Sequence, residues 1–166
     1  EASFILRQVP PRRGFVVGGG HITQFLAPMA RQAGYEVTII DPREVFSTAE
    51  RFPGSECLTA WPDEAMEGLR PDARTAVVTL THDPKIDDPG LVEALRSDAF
   101  YIGCLGSRRT HAARCERLAE AGFSEGDLAR LHGPAGLNIG AKTPAEIAVS
   151  ILAQMIDVER RQPAAS

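Results

Sequence analysis

From Gly14 onward, short apolar runs alternate with amphipathic stretches of helix length, a pattern that predicts strand–helix–strand units on a largely parallel sheet. Phe15-Val16-Val17 reads as a first strand, Ile22 to Gln32 as a helix ended by Gly34, and Val37 to Ile40 as a second strand. Cys57 to Thr59 predicts a short third strand, Pro62 to Leu69 a helix, and Ala76 to Leu80 a fourth strand, with a helix over Asp88 to Leu95. Phe100-Tyr101-Ile102 is the fifth strand, followed by a helix from Arg108 to Glu120. Ser124-Glu125-Gly126-Asp127 and Thr143-Pro144-Ala145-Glu146 both fit a capping box, the second with proline at the first helical position. The last helix then lines up Ile147, Ile151, Leu152 and Met155 on one core stripe. The expected fold is α/β: a single Rossmann-like domain with a doubly wound, mainly parallel sheet in the order 3-2-1-4-5.

Composition narrows the class. Across 166 residues, 43% are hydrophobic and 24% charged, which excludes disorder, collagen-like repetition and a coiled-coil rod. Eighteen Lys and Arg against 22 Asp and Glu leave a net charge of −4, with no basic surplus to neutralise nucleic acid. No stretch approaches the ~20 apolar residues of a membrane span, and no signal peptide opens the chain, so a cytoplasmic location is expected. Cys57, Cys104 and Cys115 have the wrong number and spacing for a disulfide framework and read as reduced thiols. Residues 1–13 read as a linker or the stub of a missing N-terminal domain: Ser3 to Val9 is a short apolar run cut off by Pro10-Pro11-Arg12-Arg13. The domain is expected over 14–158, and residues 159–166 as a tail that frays from Arg160.

Strand one runs into Gly18-Gly19-Gly20-His21-Ile22-Thr23, close to the G-x-G-x-x-G fingerprint and in the strand-to-helix setting it requires. Gly18 would make the tight turn, and Gly20 would admit a phosphate to the amides and dipole of the helix N-terminus. Thr23 replaces the third glycine, which predicts a slightly wider helix-to-strand spacing. Asp41, 21 residues after Gly20, stands where a carboxylate accepts a ribose diol, or else is a turn-forming Asp before Pro42. Arg43 could meet an extra phosphate or be a solvated loop arginine. Two further loops should border the same crevice. One carries Thr81, His82 and Asp83; the other carries Gly106, Ser107, Arg108 and Arg109, where the N-cap serine and two cations form a second anion site. His21, His82 and His111 with Asp83 could instead hold a metal, although ordinary hydrogen bonding explains them as well and no metal site is assigned. No nucleophile stands beside a base and no G-x-S-x-G elbow is present, so no catalytic residue is assigned. Cys104, close to the crevice, is either a sulfur-handling thiol or a core residue.

These strings resemble the C-terminal Rossmann domain of the xanthine dehydrogenase accessory protein family (XdhC/CoxI type). The matching stretches are GGGH at 18–21, DPR at 41–43, RFP at 51–53, LTHDPK at 80–85, GSRRTHAAR at 106–114 and HGPAGLNIGAKTPAEIAVSILA at 132–153. They span the chain from Pro10 to about Met155. The resemblance implies an accessory protein more than an enzyme: it binds molybdenum cofactor, supports its sulfuration and delivers it to a xanthine dehydrogenase-like hydroxylase. A cysteine desulfurase and a second copy of the chain are further candidate partners. Full-length members carry an N-terminal domain with a cysteine-bearing, glycine-rich motif that has no counterpart here, and Cys104 stands where relatives are expected to have a small residue. The competing readings are an NAD(P)-dependent oxidoreductase and a nucleotide-sensing regulatory domain.

Overall fold

The computed structural model describes residues 10–163. Six strands form one parallel sheet: β1 (Arg13–Val17), β2 (Glu36–Ile40), β3 (Glu56–Leu58), β4 (Thr75–Thr79), β5 (Tyr101–Cys104) and β6 (Leu131–His132). Their order is β3-β2-β1-β4-β5-β6. Doubly wound order is as expected, so β1 and β4 are neighbours whose connections leave toward opposite edges. Register is set by β1, whose Phe15 lies opposite Thr38 on β2 and Val77 on β4.

Alternation along the strands fills two cores, because successive side chains of a strand point to opposite faces. On one face, Val16, Ile39 and Val78 meet α1 (His21–Gln32) and α6 (Pro144–Arg161) through Leu26, Ala30, Ile151 and Met155. On the other, Phe15, Val17, Val77 and Ile102 meet α2 (Pro62–Leu69), α3 (Pro84–Leu95) and α4 (Arg108–Glu120) through Met66, Leu91 and Leu118. Full burial of each such side chain stabilises the fold by roughly 1.5–3 kcal/mol.

Three elements depart from the sequence reading. The helix expected from Asp88 begins at Pro84, because Asp83 caps it, its carboxylate accepting from the Lys85 amide at 3.0 Å, and Pro89 is accommodated in the second turn. The sheet also gains β6, a two-residue strand pairing Leu131 and His132 with Ile102 and Gly103. Both capping boxes form, at α5 (Glu125–Leu128) and at α6. The latter helix continues through Arg160 and Arg161, where the sequence predicts fraying. Ser3 to Val9 and the last three residues lie outside the described residues. All three cysteines are free thiols, and among the described residues no helix is long and apolar enough to cross a membrane.

Candidate binding site at the carboxyl edge of the sheet

The turn after β1 has the tight bend at Gly18 and the open approach at Gly20 that the glycine pattern implies, and it adds a constraint at Gly19. Gly18 adopts a positive φ of 113°, open to glycine at little cost. Thr23, fully buried, donates its hydroxyl back to the Gly18 carbonyl at 2.5 Å. The residue that replaces the third glycine therefore braces the turn. Gly19 is enclosed: its amide donates to Asp41 at 3.0 Å, its carbonyl accepts from Arg51 at 2.7 Å, and a Cβ there would stand 1.6 Å from the Phe46 carbonyl oxygen. Gly20 has open space around it and caps α1 with no side-chain bond, leaving His21 exposed at the start of a helix whose first turn carries no acid.

Asp41 is fully buried and its two oxygens take four donors. These are the Gly19 amide at 3.0 Å and three from Arg43: the backbone amide at 2.9 Å, Nε at 2.9 Å and Nη2 at 2.8 Å. Burial alone would raise this carboxyl, but the hydrogen bonds from Arg43 and Gly19 outweigh it and hold the group below its ordinary value. Arg43 is thus committed to Asp41, and its guanidinium lies 4.4 Å from the centre of the Phe46 ring. Phe46 ends a short 3-10 turn, Glu44–Phe46, which lies over Gly19.

The loop after β4 is organised by Asp87, a residue not singled out from the sequence. Its carboxylate accepts from the Thr81 hydroxyl at 2.6 Å and the Thr81 amide at 3.3 Å. Asp83 in turn donates its amide to the Thr81 hydroxyl at 3.0 Å, and His82 between them takes a left-handed φ of 65°, its side chain exposed. Burial pushes the Asp87 carboxyl up to about 6, against the lowering effect of the Thr81 bonds and the Arg114 charge. After β5, Gly106 has a φ of 132° and Ser107 caps α4, accepting from the Thr110 amide at 3.1 Å, with Arg108 and Arg109 exposed on the first turn. Arg114, buried, donates to the Leu105 carbonyl at 2.7 Å and lies 3.1 Å from His111 Nδ1. His111 Nε2 lies 3.5 Å from Cys115 Sγ. Burial, helped by the Arg114 charge, lowers the His111 imidazole. Among the described residues no group of three or more His, Cys, Asp or Glu is placed to hold a metal ion.

A cavity of about 690 Å³ opens beside these loops, on the β5–β6 side of the crevice. Of the residues singled out from the sequence, His82, Gly106, Ser107 and Arg108 line it. Gly18, Gly19, Gly20, His21, Asp41, Arg43, Thr81, Asp83 and Arg109 do not. The rest of its wall is the segment from Pro134 to Ala141 with Leu105, Ile147 and Ser150. None of these was assigned a binding role from the sequence, where Ile147 reads as a core residue, although the density of Gly, Pro and Asn in GPAGLNIGA marks a shaped loop. The loop is held from behind. Gln154 on α6 accepts from the Gly136 amide at 2.8 Å and the Tyr101 hydroxyl at 2.6 Å, and donates to the Gly136 carbonyl at 3.3 Å. A second cavity of about 670 Å³ lies at the opposite end, beside Arg13, Tyr35 and Glu36 where β1 and β2 begin. Parallel sheets take their ligands at the carboxyl ends of the strands, which favours the first.

The XdhC Rossmann domain family matches residues 15–155. The chain is 31% identical to a probable xanthine dehydrogenase subunit of Bacillus subtilis (strain 168) over 159 residues, covering 95% of this chain and 46% of that one. It is 30% identical to the molybdenum cofactor insertion chaperone PaoD of Escherichia coli (strain K12), covering 92% of this chain and 42% of PaoD. It is 33% identical to the uncharacterized Escherichia coli (strain K12) protein YqeB, covering 89% of this chain and 27% of YqeB. A crystal structure described as a xanthine dehydrogenase from Bacillus halodurans superposes with a TM-score of 0.80 at 30% identity, over 95% of this chain and 45% of that one. The chain therefore spans less than half the length of these relatives. With the matched region covering the sheet, both helical layers and the loops of the crevice, this chain belongs to the XdhC Rossmann domain family.

Proposed function

We propose that this domain is the cofactor-holding part of a maturation factor, one that carries molybdenum cofactor and delivers it to a xanthine dehydrogenase-like hydroxylase. The observation that carries the reading is the 690 Å³ cavity, whose lining combines the capped first turn of α4 with apolar side chains. Its volume lies within the usual range for small-molecule sites, about 300–1,000 Å³. At one end, the first turn of α4 offers backbone amides, the positive end of the helix dipole and Arg108, a set suited to a terminal phosphate. The same lining includes Leu105, Ala135, Leu137, Ile139 and Ile147, apolar side chains that suit the flat body of a pterin. When bound, the cofactor would carry molybdenum on its own dithiolene sulfurs, so this chain need not supply a ligand set. The named relatives point the same way, since one is a molybdenum cofactor insertion chaperone.

Support of sulfuration, with a cysteine desulfurase as second partner, belongs to the same reading, with the cofactor as sulfur acceptor. Cys104 does not suit that role, because it is fully buried and burial pushes its thiol up to about 12, far from the thiolate needed to handle sulfur.

The test is equilibrium titration of the chain with molybdenum cofactor released from a donor enzyme, followed by transfer to cofactor-free hydroxylase. Saturable binding is expected, weakened about tenfold by Arg108→Ala and less by Arg109→Ala, which lies outside the cavity, with both losses shrinking at high salt. Absence of binding, or a clear preference for NAD(P), would overturn the reading.

A further inference from the structure

In a sheet of this order, a dinucleotide lays its ribose against the carboxylate at the end of the second strand. Here that carboxylate has no free acceptor position. Asp41 is fully buried, and Gly19 and Arg43 supply four donors to its two oxygens. The space beside it is filled as well, since the Phe46 carbonyl lies against Gly19 and Arg51 donates to the Gly19 carbonyl. Arg43 and Arg51 both lie over the Phe46 ring, at 4.4 and 5.7 Å from its centre. The end of this covering is fixed to the sheet: Ser47 and Thr59 share a hydrogen bond of 2.7 Å just beyond β3, and the Asp41 amide donates to the Leu58 carbonyl at 3.1 Å.

We propose that the segment from Asp41 to Phe46 is a built-in plug that fills the ribose half of the crevice, so that the domain takes a pterin cofactor ending in a single phosphate and excludes forms with an appended nucleotide. The proposal rests on the functional reading above. To admit a nucleotide, Asp41 would have to surrender its paired bonds to Arg43, and the 3-10 turn would have to lift from Gly19. The open cavity lies on the other side of the crevice, at His82, Gly106 and Arg108, where none of these groups obstructs access. Gly19 and Asp41 thus serve chain architecture, bonded to each other.

The experiment compares binding of the phosphate-terminated molybdenum cofactor, its cytosine and guanine dinucleotide forms, NAD⁺ and AMP to the unaltered chain and to the Arg43→Ala variant. For the unaltered chain, the phosphate-terminated form is expected to bind at least about tenfold more tightly than either dinucleotide form. NAD⁺ and AMP are expected to show no saturable binding. Arg43→Ala should raise affinity for the nucleotide-bearing probes and bring the two cofactor classes within about threefold of each other. Equal or tighter binding of a dinucleotide form by the unaltered chain overturns the plug and leaves the carrier role standing. If no pterin form binds, the carrier role falls, and NAD⁺ and AMP decide the plug alone: their binding to the unaltered chain overturns it, and a gain confined to Arg43→Ala upholds it. Should that variant fail to fold, the ranking measured on the unaltered chain decides.

Discussion

Gly19 and Gly20 are adjacent and chemically identical, yet they answer to different constraints. An alanine at Gly19 would drive its Cβ into the Phe46 carbonyl, so Gly19→Ala should lose about 2 kcal/mol or more in a urea denaturation series. Gly20→Val meets nothing within 4 Å and should stay within about 1 kcal/mol of the parent, the cost of a poorer N-cap. Gly20 does not line the cavity, so cofactor affinity should stay at the parental level; a clear loss would place a phosphate at α1 as well. The glycine run is plain in the sequence. Which glycine is sterically required is not, because the constraint comes from Phe46, far along the chain. Asp87 makes the same point through its proton. Its carboxyl is raised from an ordinary 3.8 to about 6, so between those values the folded state holds more protons than the unfolded state and stability falls as pH rises. The cost is absent below about pH 4 and complete above about pH 6, on the order of 3 kcal/mol. Asp87→Asn should therefore gain on the parent by roughly that amount between pH 4 and pH 7, as read from paired melts. A constant offset would show that the carboxyl titrates normally.

At the scale of elements, apolar periodicity is sufficient for α1 and α6, and α4, which buries only Arg114 and Leu118, is marked instead by its Ser107 cap. Both signals fail at β6, where two residues are too few to show any period, and at the start of α3, where Pro89 argues for a boundary that the Asp83 cap and Pro84 move four residues upstream. The candidate site shares this limit. The first turn of α4, proposed to hold the phosphate, is legible from Ser107-Arg108-Arg109, whereas the wall from Pro134 to Ala141 is not, since its shape depends on contacts with α6. Gln154 holds that wall through three hydrogen bonds that link β5, the loop and α6. Gln154→Ala should therefore cost about 2–3 kcal/mol, by leaving the Gly136 amide and the Tyr101 hydroxyl without partners. It should also weaken cofactor retention more than Arg109→Ala does. Retention at the parental level would mean the loop keeps its shape without the clamp.

For the molecule as a whole, the single parallel sheet places the loops of the candidate site at one end, and the two arms of the crevice differ. The β2 arm is closed by the chain's own residues, and the β5–β6 arm is open and holds the cavity proposed for the cofactor. The outermost strands, β3 with three residues and β6 with two, bear on how two such molecules could meet. A ladder that short offers too few backbone bonds to align a neighbouring strand, which is one way natural sheets avoid edge-to-edge growth. A dimer of this domain would accordingly have to be made by helical faces or strand-end loops, and its formation should leave amide exchange along β3 and β6 unchanged.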